Sequence, residues 1–215
     1  MRNIILFDLD GTLIESGEGI IKSLQYTFEQ MNLEVPSAEE LRVFIGPPLL
    51  EQFMVYANFS QEEAEQAVDI YHSRYEPIGL FEAMPYKGIG DMLAELKELN
   101  YELAVSSSKP EELVVAALKH FNLSHYFSEI IGSSSELKTK GLVIRETLSR
   151  LSVNRLEDKV IMVGDKEHDV LGAREEDIEC LSVLYGYGTR TELEVVSPKG
   201  IVETVEELKN ALKLF

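Results

Sequence analysis

At 215 residues and 24.3 kDa the chain is long enough for one large domain or a domain with an insert, and too long for a disulfide-stapled mini-protein. Hydrophobic residues at 45% and charged residues at 27% exclude wholesale disorder, and no apolar run reaches membrane-spanning length. The formal charge of -18, from 38 acidic against 20 basic side chains, repels phosphate backbones and anionic lipid, which argues against a nucleic-acid polymer or a membrane as partner.

Residues 3–7 form a short apolar run with β-branched members that stops at Asp8-Leu9-Asp10-Gly11-Thr12, and this pattern predicts a buried strand ending in a polar loop. Residues 17–81 carry helical periods (Ile20, Ile21, Leu24, Phe28; Leu49, Leu50, Phe53; Ala64, Ala67, Val68, Tyr71) and no convincing strand, which predicts an all-helical insert. Gly17-Glu18-Gly19 and the segment 82–85 flank it as hinges, so the expected division is an α/β core of residues 1–16 and 82–215 with a smaller helical domain at 17–81. An insert placed there can fold back over the first polar loop.

Further along, residues 101–105 run into Ser106-Ser107-Ser108, and residues 159–163 run into Gly164-Asp165. Weaker strand patterns lie at 129–131 and 179–184. Helical periods alternate with them: Ile89 to Leu99, Leu113 to Leu118, Val143 to Leu151, and a closing helix over 205–214. Such alternation predicts a doubly wound parallel sheet with helices on both faces, whose ligand sites lie outside the carboxyl ends of the strands. The single cysteine, Cys180, cannot form an internal disulfide and is expected in the core. With no leader-like segment recognised, a cytoplasmic location is expected.

Asp8 and Asp10 are two residues apart at a strand end, so their side chains project to one side. Burying both as anions costs several kcal/mol unless they are partnered, and an oxygen-only ligand set favours magnesium over zinc. Asp165 and Asp169 follow another strand, and four acids at two strand ends suggest one metal site. A carboxylate in such a site can attack phosphorus, and its neighbour can exchange a proton with the leaving group. The serines at 106–108, followed by Lys109-Pro110, offer hydroxyls and helix-opening N–H groups to an anion. Either Lys138 or Lys140, ahead of the next helix, can add a point charge. Structural roles are expected for His168, Glu15, Ser16, Arg74 and Tyr75.

Asp8-Leu9-Asp10-Gly11-Thr12-Leu13, a serine ending a later strand, a lysine before a helix, and Gly164-Asp165 with Asp169 resemble the four ordered motifs of the haloacid dehalogenase superfamily of phosphatases. The helical insert is similar to that family's first-type cap. Phe44-Ile45-Gly46-Pro47-Pro48-Leu49 resembles the cap segment of phosphoglycolate-phosphatase-like members. The resemblance implies Asp8 as nucleophile and Asp10 as general acid and then base. It also implies magnesium held by Asp8, the backbone carbonyl of Asp10, and Asp165. It places phosphate on Ser107, Ser108 and Lys140, with Lys138 as competitor, and gives Asp169 the task of orienting that lysine or a metal-bound water.

The activity so implied is hydrolysis of a small phosphorylated metabolite, such as phosphoglycolate, a sugar phosphate or a nucleotide, by a monomer or homodimer. A phosphomutase or pyrophosphatase would use the same core residues. A phosphate-accepting regulatory module is the non-enzymatic alternative, and Asp8 so near the start of the chain, followed by the insert, speaks against it.

Overall fold

The computed structural model describes all 215 residues, Met1 to Phe215. In chain order the elements are β1 (Asn3–Phe7), β2 (Ile14–Glu15), α1 (Gly17–Gln30), α2 (Leu49–Tyr56), α3 (Gln61–Tyr75), β3 (Met84–Pro85), α4 (Ile89–Glu98), β4 (Glu102–Pro110) and α5 (Glu111–His120). They continue as β5 (Glu129–Ser133), α6 (Lys140–Arg150), β6 (Lys159–Gly164), α7 (Glu167–Glu175), β7 (Glu179–Val183), α8 (Arg190–Val196), β8 (Gly200–Val202) and α9 (Val205–Lys213). Two compact units result, Met1–Glu15 with Pro85–Phe215, and Ser16–Met84.

The first unit is built on a six-stranded sheet in the order β5-β4-β1-β6-β7-β8, and every pairing in it is parallel. The chain leaves β1 toward β4 and β5 on one side and returns to β6, β7 and β8 on the other. The carboxyl end of β1 therefore sits where the winding reverses, the place at which an open parallel sheet leaves a crevice. Ile4, Ile5, Leu6 and Phe7 are wholly buried because both faces of the sheet are covered, which is why the run does not alternate with polar residues. On one face Ile4 and Leu6 join Ala104, Met162 and Cys180 under Ile144 and Leu148 of α6 and Val170 and Ala173 of α7. Phe7 meets Phe127 edge-on with ring centres 6.3 Å apart.

The helices stop where the backbone can turn left-handed. Asn32, Asn100, Asn122, Ser152 and Asp177 have φ between 50° and 62° just past α1, α4, α5, α6 and α7. Asn and Asp adopt that conformation more readily than other residues with a Cβ. Helix starts follow the matching rule: Ser60 and Glu63 close a capping box on α3, Thr189 and Glu192 do so on α8, and Thr139 caps α6.

The α/β core is a doubly wound parallel sheet, as the pattern of strands and helices leads one to expect. Three details differ. β4 runs through the serines to Pro110, because Ser106 pairs in register with Ile131 and Pro110 with Ser133 of β5. Ser106 is itself buried, its hydroxyl hydrogen-bonded at 2.7 Å to that of Thr147. The short elements α7, α8 and β8 carry too few apolar residues to register as periods, and tertiary pairing rather than local pattern defines them.

The second unit is helical throughout α1, α2 and α3, and it packs its own aromatic core. Phe53 stacks on Phe59 with centres 5.9 Å apart, and Phe44 lies 5.1 Å from Phe53. Within it Arg74 bonds to Glu82 and the Ser23 hydroxyl, and Tyr75 stacks on Tyr71.

At the amino end of β1, Arg2 donates from its backbone N–H to Asp158 Oδ1 at 2.9 Å and from Nε to Oδ2 at 3.0 Å. It also reaches Glu102 at 3.0 Å, so one side chain ties the start of β1 to β4 and to the residue just ahead of β6. These hydrogen bonds, with one more from the Asn154 N–H, hold the Asp158 carboxyl well below the usual carboxylate range. A depressed acid stabilises the fold above its unfolded pKa, and that contribution is lost as pH falls toward the folded value. Asp158→Ala therefore lowers the urea midpoint at pH 7. The gap from the parent shrinks once the pH drops below about 4, the ordinary aspartate value. A gap that persists unchanged in acid would contradict this.

Candidate active site

The carboxyl ends of β1, β4 and β6 and the start of α6 bring the candidate residues together. Asp8 follows β1 directly and continues its ladder, its N–H bonded to the Val163 carbonyl at 2.9 Å. Its carboxylate is 13% exposed, and Oδ1 accepts from Lys140 Nζ at 2.6 Å. Lys140 is the first residue of α6 and its side chain is 3% exposed, with Nζ also 2.7 Å from Asp169 Oδ1. The other oxygen of Asp169 accepts from the Lys166 N–H at 3.0 Å, which seats it in the first turn of α7.

Asp165, at the end of β6, is buried and accepts from the Tyr187 N–H at 2.7 Å. The Tyr187 hydroxyl in turn donates to Glu15 at 3.0 Å. Gly11 lies against this group with φ at +79°, and a Cβ there would fall 2.2 Å from Asp165 Oδ2, so both conformation and space demand glycine.

One oxygen each of Asp8, Asp165 and Asp169 lies within 4.8 Å of the others. Burial pushes the Asp8 carboxyl up to about 6 against the pull of Lys140, with the charge of Asp169 adding to the rise. Burial also lifts Asp165 well above the ordinary range, reinforced by Asp169 and Asp8. Burial alone would lower Lys140, but Asp169 and Asp8 outweigh it and hold it protonated far above neutral pH. Ionised together, three carboxylates against one ammonium would leave two negative charges uncompensated in a buried site, and that cost is what lifts Asp8 and Asp165. A divalent cation with a preference for oxygen ligands matches that donor set.

Asp10 stands apart from the trio. Its carboxylate is engaged by Lys109 at 2.7 Å, while its neighbour Gly11 turns the chain back through a bond to the Ile14 carbonyl. Ser107 is buried and accepts from the Lys109 N–H at 3.3 Å, whereas Ser108 is exposed. Lys138 is exposed at the foot of α6, and Thr139, as N-cap, turns Lys140 rather than Lys138 toward Asp8. His168 is part-buried with its Nε2 unbonded, and Cys180 lies in the core among apolar side chains.

The sequence pattern assigns no site role to the Lys109 side chain or to the Tyr187 N–H. The Lys-Pro pair after the serines is the only local signal for the first, and none marks the second.

No helix of the protein is long and apolar enough to cross a membrane. The family model of haloacid dehalogenase-like hydrolases matches residues 5–183. The chain is 35% identical over 211 residues to a 5'-nucleotidase of Pseudomonas aeruginosa, covering 97% of this chain and 95% of that protein. It is 32% identical to the tyrosine-protein kinase PtkA of Mycobacterium tuberculosis, covering 97% of this chain and 72% of that one. A "predicted phosphatase" from Clostridium acetobutylicum superposes with a TM-score of 0.93 at 39% identity over the whole of both chains. The chain therefore belongs to the haloacid dehalogenase-like hydrolases.

Proposed function

We propose that the protein hydrolyses a small phosphate monoester through an aspartyl-phosphate on Asp8, with magnesium as its cofactor. The observation that carries this reading is the convergence of Asp8, Asp165 and Asp169 on one buried point, with Lys140 bonded to the first and last of them. In the first half-reaction Asp10 enters as the neutral carboxylic acid; an Asp8 oxygen bonds to phosphorus in line with the departing oxygen, the P–O ester bond breaks, and the Asp10 proton goes to the leaving group, which leaves Asp10 as the carboxylate. In the second, Asp10 takes a proton from water as that water's oxygen bonds to phosphorus, and Asp8 is released with inorganic phosphate.

Lys140 orients Asp8 and offsets charge on the equatorial oxygens. Ser107 accepts from the backbone of Lys109, so its own proton is free to go to a phosphate oxygen, and Ser108 offers a second hydroxyl at the rim. Asp8, Asp165 and the Asp10 carbonyl would hold magnesium, and Asp169 would fix the lysine beside it. When bound, the ion supplies positive charge to the transferring phosphoryl group.

Nucleoside 5'-monophosphates are the first substrate class to examine, because a relative of nearly equal length bears that activity in its name. Phosphoglycolate, sugar phosphates and pyrophosphate complete the panel, since the core chemistry does not choose among leaving groups. We expect phosphate release that stops on chelation and returns when magnesium is restored. Release unaffected by exhaustive chelation would overturn the metal assignment.

A further inference from the structure

Proton transfer at Asp10 requires its side chain to stay in one place through two half-reactions, and the cation in contact with it is Lys109. Lys109 Nζ lies 2.7 Å from Asp10 Oδ2 and 2.9 Å from Oδ1, straddling both oxygens. The two side chains are only 7% and 17% exposed, so the pair is shielded in a way that exposed ion pairs are not.

The backbone under Lys109 is also fixed. It occupies the irregular end of β4, where pairing with β5 shifts between Ser106 and Pro110. Its N–H is spent on Ser107 Oγ. Its carbonyl rests on Gly132 of β5, where a Cβ would approach the Lys109 oxygen to 2.5 Å and the Glu111 Cα to 2.4 Å. That glycine therefore allows the segment to close down. Two lysines from two different strand-to-helix junctions draw the neighbouring carboxylates to separate stations, Asp8 to Lys140 and Asp10 to Lys109.

We infer that Lys109 is a positioning residue for proton transfer, holding the Asp10 carboxylate at the leaving-group side of the site. The inference rests on the roles proposed above for Asp8 and Asp10. Its signature is a dependence on the leaving group, since a basic alkoxide needs a proton to depart and p-nitrophenolate does not.

The experiment measures kcat/KM, which reports the first half-reaction, for aryl and alkyl phosphates of graded leaving-group basicity. Parent, Lys109→Met, Lys109→Gln, Lys109→Arg and Asp8→Asn are compared. Lys109→Met is expected to lose about 100-fold with alkyl phosphates and less than about 5-fold with p-nitrophenyl phosphate, the lower end of what a general acid contributes. Lys109→Arg should recover about 10-fold of the alkyl loss, because it keeps the charge. If the methionine variant fails to fold, the steeper leaving-group dependence is read from Lys109→Gln.

An equal loss across the series would mean that Lys109 contacts the transferred phosphate, and no loss at all would make the ion pair structural. Either result overturns the inference while leaving the phosphatase reading intact. If Asp8→Asn keeps the parent's rate, both fall.

Discussion

Replacing Asp8 with asparagine leaves a folded protein whose phosphate release falls by roughly 10⁴-fold or more, the scale on which loss of a nucleophile is felt. The substitution is nearly isosteric, and its amide oxygen still accepts from Lys140, so the carboxyl end of β1 keeps its place. What disappears is the anionic oxygen that bonds to phosphorus. The same change removes an acid whose folded pKa is raised to about 6, chiefly by burial. A raised acid makes stability fall as pH rises from its unfolded value through its folded one. At pH 7 without metal Asp8→Asn therefore melts no lower than the parent, and any difference closes below about pH 4. Thermal melts at the two pH values check the sign. A variant that unfolds at pH 7 would mean that Asp8 serves structure rather than chemistry.

Lys140→Met is the complementary experiment and carries the second large effect. Lys140 Nζ bonds to Asp8 and Asp169 inside a site it shares with Asp165. Removing it strands buried carboxylates, and breaking such a pair from one side costs about 3–5 kcal/mol. The urea midpoint in metal-free buffer should drop accordingly. Millimolar magnesium should recover part of the loss, since a divalent cation supplies the missing charge, and activity should fall by about 10²–10³-fold. Lys138→Met, on an exposed side chain two residues earlier, should stay within about 0.5 kcal/mol of the parent. Equal effects at the two positions would contradict the placement of the phosphate-side cation.

The reach of the sequence follows the range of the interactions involved. Asp8 and Asp10 announce themselves because the apolar run of residues 4–7 ends in two acids two residues apart, and that juxtaposition is local. The helical unit is equally legible, its core being made of aromatic and aliphatic residues at helical spacing within one continuous segment. The choice between Lys138 and Lys140 turns on where Thr139 starts the helix, and a two-residue difference at a helix start is finer than periodicity resolves. Lys109 meets Asp10 across 99 positions of chain, through a strand crossover that no local pattern encodes. The Tyr187 N–H that fixes Asp165 is a backbone group, invisible in any residue type. The length of β4 was hidden for a related reason, because its serines look like a loop until β5 pairs with them and Thr147 takes up the Ser106 hydroxyl.

Reduction with borohydride during turnover, followed by peptide mass spectrometry, addresses the chemistry at its centre. An acyl phosphate on residue 8 is converted to homoserine at that position. Homoserine is expected at residue 8 when substrate and magnesium are both supplied, and none when either is withheld. Full turnover with residue 8 unmodified, or reduction at a different carboxylate, would contradict it.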